Sequence, residues 1–174
     1  MDFQCAICGR KHDADNLSWH FREPLPWLSA SETEREHSVL TEDQCELVTH
    51  EGMHFFIHAL LNIPIKGSDR VFTWGVWCSL SEKSYLEVAD NWENPERTNL
   101  GPYFGWLCSK IPEYPDTMLM KTHVHPRDIG LRPTVELDST MHPLAVHQRE
   151  GMEAAELNRI VSVLFHEYEK RNEG

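Results

Sequence analysis

Residues 53–80, MHFFIHALLNIPIKGSDRVFTWGVWCSL, decide the fold. They read as two long strands joined by a turn. In the first, Phe55, Ile57, Ala59, Leu61 and Ile63 alternate with Phe56, His58, Leu60 and Asn62. In the second, Phe72, Trp74, Val76 and Cys78 alternate with Val71, Thr73, Gly75 and Trp77. A strand sends successive side chains to opposite faces, so both faces carry bulk. The hairpin is therefore expected to be central, covered on both sides. Lys66, Gly67, Ser68 and Asp69 supply the turn chemistry.

Outward from this hairpin, most predicted strands follow one another through short turns. Residues 44–49 form a strand that turns at His50-Glu51-Gly52 into the hairpin. Residues 102–108, 117–125 and 132–137 read as three more strands. SEKSYLEVADNW, after Leu80, predicts a helix capped by Ser81, with Tyr85, Leu86, Val88, Ala89 and Trp92 at helical spacing. Residues 152–170 predict a second helix, with Leu157, Ile160, Val161, Leu164 and Tyr168 at helical spacing. Ser31, with Glu34 three residues on, has the pattern of a capping box over a short helix. Residues 13–30, punctuated by Pro24 and Pro26, predict a loop with a short extended piece. Parallel pairing needs long crossovers, and only one substantial helix interrupts the strands. The expected class is α+β: an antiparallel sheet of about six strands, two main helices and an N-terminal zinc knuckle. The 174 residues fit a single domain, with residues 1–50 as metal knuckle and acidic segment and 51–174 as sheet and helices.

The knuckle rests on Cys5-Ala6-Ile7-Cys8-Gly9-Arg10-Lys11-His12. A CxxC turn aims two thiolates at one point, and the glycine after it lets the turn curl around a metal. Zinc takes four tetrahedral sulfur and nitrogen ligands in structural sites. Cys5 and Cys8 are two, His12 is near enough for another, and Cys45 is the best distant candidate; His20 and His50 are weaker ones. A thioredoxin-like redox pair is disfavoured, because no long strand precedes the motif. Five cysteines, an odd number, fit metal binding in a reducing, cytoplasmic setting better than a disulfide framework.

Charge narrows the partners. A net charge of −12 argues against a nucleic-acid backbone or an anionic membrane and permits a basic protein partner. Between residues 31 and 51, seven carboxylates face Arg35 alone. Such a run is ordinarily a solvated face. No apolar run is long enough to cross a bilayer. GxSxG, Walker A and HExxH patterns are absent from the sequence.

The order of blocks is itself informative: CxxCGxxH, a cysteine after an acidic run, IPI, FTWGVWCSLS, YFGWLCSKIPEYPDT, Met120-Lys121-Thr122, VHPRDIGLRPTVEL and HPLAVHQREG. Over nearly its whole length the chain resembles the bacterial family called domain of unknown function 2199. The resemblance implies a soluble bacterial protein with an N-terminal metal knuckle, and it implies no activity. His58 and Ala59 stand where that family usually has an Arg-Gly pair.

A second candidate region spans 121–149 and contains Lys121, His123, His125, Arg127, Arg132, His142, His147 and Arg149. His123 and His125 share one strand face, as two metal ligands must. Glu136 or Asp138 would supply a carboxylate and His142 a third imidazole, which with an open position makes a catalytic metal site. The bland reading is surface histidines and arginines held by internal carboxylates. Between these lies an anion site of His125, Arg127, Arg132 and His142. The loop joining 117–125 to 132–137 carries both arginines to one sheet edge. His142-Pro143 starts a helix whose N-terminus favours anions. Two functions follow. The first is a non-enzymatic binding module with a structural zinc. The second is a small metal- or anion-dependent enzyme or ligand-binding protein using residues 121–149.

Overall fold

The structure is a computed structural model that describes residues 2–4, 7, 9, 11–13 and 18–172. Strand β6 (Gly52–Pro64) and strand β7 (Val71–Leu80) form the expected hairpin, paired from Phe55↔Leu80 to Pro64↔Val71. Both faces are covered. Ile57, Ala59, Leu61, Ile63, Trp74, Val76 and Cys78 are fully buried on one side, and Phe56 and Trp77 are buried on the other. Each large apolar side chain so buried contributes about 1.5–3 kcal/mol.

The other strands are β1 (Asp2–Gln4), β2 (Lys11–Asp13), β3 (Ser18–His20), β4 (Val39–Leu40), β5 (Gln44–Thr49), β8 (Tyr103–Leu107), β9 (Lys121–His125) and β10 (Thr134–Leu137). The helices are α1 (Leu25–Ser29), α2 (Glu32–Glu36), α3 (Glu82–Asp90), α4 (Pro143–Glu150) and α5 (Ala154–Asn172). β1 and β2 pair with each other. Strands β3 to β10 make one eight-stranded sheet, more than the six expected. The extra strands are the short edges β3 and β4, whose two or three residues carry no periodic signal.

The sheet also closes. The order runs β3-β7-β8-β9-β10-β6-β5-β4, and β6 pairs with β7 as well. Strands β6, β7, β8, β9 and β10 therefore form a five-stranded barrel. Two contacts are parallel: β10 on β6 at Thr134↔Leu60, and β3 on β7 at Ser18↔Thr73. The purely antiparallel expectation is corrected here. The chain reaches these pairings by long returns between segments far apart in sequence.

The main core joins the inner faces of β6 and β7 to Tyr85 and Val88 of α3, Leu144 and Ala145 of α4, and Leu157, Ile160, Val161 and Leu164 of α5. A smaller core on the opposite face gathers Ala30, Cys45, Leu47, Phe56, Trp77 and Cys108. Cys78 in the main core and Cys108 in the smaller one pack as small apolar groups, with burial pushing both thiols up. Local signals hold at the helix ends. Ser31 accepts from the Glu34 N–H while the Glu34 carboxylate accepts from the Ser31 N–H. Ser81 accepts from the Ser84 N–H. The segment expected as a loop with a short extended piece holds β3 as that piece and also the unexpected short helix α1, which has a proline in its first turn. No helix among the described residues is long and apolar enough to cross a membrane.

Candidate functional site

Cys5 and Cys8 lie outside the described residues, as does the side chain of His12. The backbone on either side of the CxxC is described. β1 and β2 pair as antiparallel neighbours, with Gln4 opposite Lys11 and Phe3 opposite His12, so the two ends of the segment carrying the motif stand together. Cys45 sits on β5 opposite Phe56 and is fully buried beside Leu47 and Trp77. Burial, and then the nearby Glu46 carboxylate, push its thiol up to about 12. A metal ligand must lose that proton.

The region 121–149 divides into separate clusters. β9 and β10 pair as neighbours, as expected, and His123 and His125 share the outer face of β9. His123 Nε2 lies 2.8 Å from Asp138, and His125 Nε2 lies 3.3 Å from Glu136. Each histidine thus has its own carboxylate, and among the described residues no three His, Cys, Asp or Glu side chains converge as a metal would need. His142 does begin a helix, α4, but its own Nδ1 accepts from the Leu144 N–H at 3.2 Å. The imidazole itself caps the N-terminus that was expected to face an anion. His147 belongs to a third cluster, bonded through Nδ1 to the Tyr114 hydroxyl at 2.9 Å and facing Glu156 through Nε2 at 3.2 Å.

Arg127 and Arg132 do meet. They line one open groove of about 370 Å³, together with His20, Asp43, Trp92 and Glu93. Neither His125 nor His142 is among its lining residues. The groove lies over the closure of the barrel, where Leu60 donates to the Pro133 carbonyl at 2.9 Å. Its two walls are the turn after α3 and the β9–β10 loop. Arg97, buried in a 3-10 turn (Arg97–Asn99), ties them together. Its guanidinium donates to the carbonyls of Trp92, Arg127, Asp128 and Leu131 and stacks 5.0 Å from the Trp92 ring. Backbone carbonyls thereby take up most of its donors, so Arg97 is a clamp and not a binding group.

The other two arginines differ. Arg132 Nε donates to Asp43 at 2.6 Å, and Glu42 stands 3.9 Å away. That pair fixes the fork and partly neutralises it. Arg127 makes one long bond, 3.5 Å, to the Arg132 carbonyl, and has no carboxylate partner among the described residues. Glu93, on the facing wall, has neither a hydrogen bond nor an ion pair among the described residues.

Two histidines border this groove. His20 lies against Gly75, where a Cβ would sit 2.0 Å from its Nδ1, so the missing side chain makes room for the ring. His58, two residues before Leu60 on the same face of β6, meets His20 edge-on at 5.6 Å and stacks on Trp77 at 4.9 Å. Its Nδ1 lies 2.9 Å from the Glu42 carbonyl, and its Nε2 is buried with no hydrogen-bond partner. Burial, above all, pushes His58 down to about 4; the Arg132 charge adds to this, against the pull of the Glu42 carbonyl. Burial and Arg132 also lower His20. Both rings are therefore neutral at pH 7, and the positive charge of the groove comes from its arginines.

Sequence reasoning found Arg127 and Arg132 but missed His58, Trp92, Glu93 and Arg97, and it placed His20 only as a weak zinc ligand. Asp43 carried a signal as one member of the acidic run. The rest lie far apart in the chain and meet because β3, β6 and the turn after α3 converge on the β9–β10 loop. No curated protein and no solved structure matches the chain. A family model described as an uncharacterised protein conserved in bacteria matches residues 4–152, which places the chain in the family of domain of unknown function 2199.

Proposed function

We propose that the protein is a non-enzymatic binding module whose groove holds a small ligand by a carboxylate or phosphate group. The observation that carries this is Arg127: a guanidinium lining a groove of about 370 Å³ with no carboxylate among the described residues to satisfy it. Arginine presents a planar fork that grips such groups through two hydrogen bonds. Arg132, held in place by Asp43, stands beside it, and the volume falls within the ordinary range for small-ligand sites. The residues lining the groove include no nucleophile with an adjacent base, so binding is a better reading than catalysis. Calorimetric titration with phosphate, acetate and succinate tests it. Wild type should bind one of them at millimolar concentration or tighter, and Arg127→Ala should abolish the heat. No binding by wild type, or unchanged binding by Arg127→Ala, would end the reading.

A structural zinc is the second part of the proposal, held by Cys5 and Cys8 with His12 and Cys45 as further ligands. The pairing of β1 with β2 supports it by holding together the two ends of the segment that carries the CxxC. Zinc tied between this segment and β5 would add directly to folding. Metal analysis of purified protein should give one zinc per chain, and Cys8→Ser should lose both the zinc and several degrees of melting temperature. Metal-free wild type would refute it.

A further inference from the structure

The groove carries charge of both signs, and this bears on what it binds. Arg127 on one wall and Glu93 on the other both line it, and neither has an oppositely charged partner among the described residues. They are not within ion-pair distance of each other. Arg97 holds the two walls at a set separation by bonding the carbonyls of Trp92 on one and of Arg127, Asp128 and Leu131 on the other. Two opposite charges kept apart across a fixed gap are each left to water or to a ligand.

A purely anionic ligand fits this poorly. Next to Arg127 and Arg132 it would meet Asp43 and Glu93 in the groove, Glu42 at its rim, and a chain of net charge −12 around it. Like charges set against one another in a partly enclosed site oppose binding. Nor do His20 and His58 offset this, being neutral at pH 7. A ligand that brings its own cation removes the conflict.

We infer that the ligand is a small zwitterion, its carboxylate or phosphate on Arg127 and Arg132 and its ammonium on Glu93, with the linking carbons lying along Trp92. This rests on the anion site proposed for the groove and narrows its ligand to a chemical class: free amino acids, or phosphate esters of amino alcohols. A carboxylate and a phosphate source share the same contacts here, and the probes separate them.

The experiment is a matched titration of the full chain at neutral pH and low salt. The ω-amino acids from glycine to aminohexanoate, and phosphoethanolamine, are each compared with the same molecule lacking the amine: acetate through hexanoate, and ethyl phosphate. At least one zwitterion should bind about tenfold or more tightly than its match. Glu93→Gln should erase that advantage, and the amine-free acid, relieved of a repelling carboxylate, should bind at least as tightly as it does to wild type. Arg127→Ala should abolish both. The chain length with the largest advantage measures the gap between the two charges. Should the amine-free acids bind with dependence on Arg127 while no zwitterion exceeds its match, the zwitterion is wrong and the anion site stands. The zwitterion is equally wrong if Glu93→Gln leaves the ratio intact. If no probe binds, both fall. Melting curves of the two variants within a few degrees of wild type keep a folding defect from imitating either result.

Discussion

His58 is held neutral well below the pH at which an ordinary histidine takes up its proton, because its ring is sealed between Trp77, His20 and the Glu42 carbonyl. Above pH 6.5 the ring is neutral in folded and unfolded chains alike, and burying it carries no protonation penalty. As pH falls from 6.5 toward 4, the unfolded chain takes up a proton that the folded ring, pushed down to about 4, refuses. Stability is lost through that window, by about 2–4 kcal/mol in all. Urea midpoints measured at steps of pH should show this slope in wild type and a flatter one in His58→Phe. Arg97 poses the opposite problem, a buried cation held by carbonyls and no carboxylate. Lysine cannot reach four acceptors set out for a planar fork. Arg97→Lys should therefore cost about 2–4 kcal/mol in denaturant unfolding and weaken ligand binding with it.

At the scale of elements, the local rules for starting a helix account for three of the five helices described. Ser31, Ser81 and His142 each bond the first free N–H groups of α2, α3 and α4. Their weights differ, because only some of these helices are tied to the core. α3 buries Tyr85 and Val88, and α2 buries nothing. Ser81→Ala should lower global stability by about 1 kcal/mol, while Ser31→Ala should leave the main transition nearly unmoved. Thermal melts followed by circular dichroism and by tryptophan fluorescence separate the two. The hairpin of β6 and β7 ties the two cores to each other. Its Trp77 fills the smaller core, donates its indole N–H to the Phe21 carbonyl at 2.9 Å, and donates its backbone N–H to the Ser109 hydroxyl at 2.9 Å. The next residue along, Cys78, is buried in the main core on the other face.

For the molecule as a whole, the deciding contact is a small one. β10 meets β6 through Thr134↔Leu60 and the Leu60-to-Pro133 hydrogen bond, and so closes the barrel. This closure brings the β9–β10 loop over β6 and sets Arg127 and Arg132 beside His20 and Asp43. Amide exchange should be slowest along β6 and β7, paired on both sides for much of their length, and fastest in the edges β3 and β4. A ligand in the groove should slow exchange at Leu60 and in the β9–β10 loop more than elsewhere, since both line or flank it.

Alternation of apolar residues through 53–80 determined the central hairpin, and it did so unaided, because a strand buried on both faces needs bulk at every position. The same holds for α3, α5 and the serine caps, which depend on neighbours within four residues. The family also follows from sequence blocks alone. Closure of the barrel, the parallel contact of β10 with β6, and the edge strand β3 depend on pairings between segments distant in the chain. No local pattern encodes them. In the groove, Arg127 and Arg132 stand out in the sequence as basic residues of an acidic chain. So do His125 and His142, which the fold directs to Glu136 and to the α4 N-terminus. Glu93 and Trp92 look ordinary in sequence, His20 stands out only as a weaker zinc candidate, and His58 only as a departure from the family pattern. They acquire a role only where tertiary packing removes water from His58, occupies Asp43 with Arg132, and leaves Arg127 and Glu93 lining one space with no charged partner among the described residues.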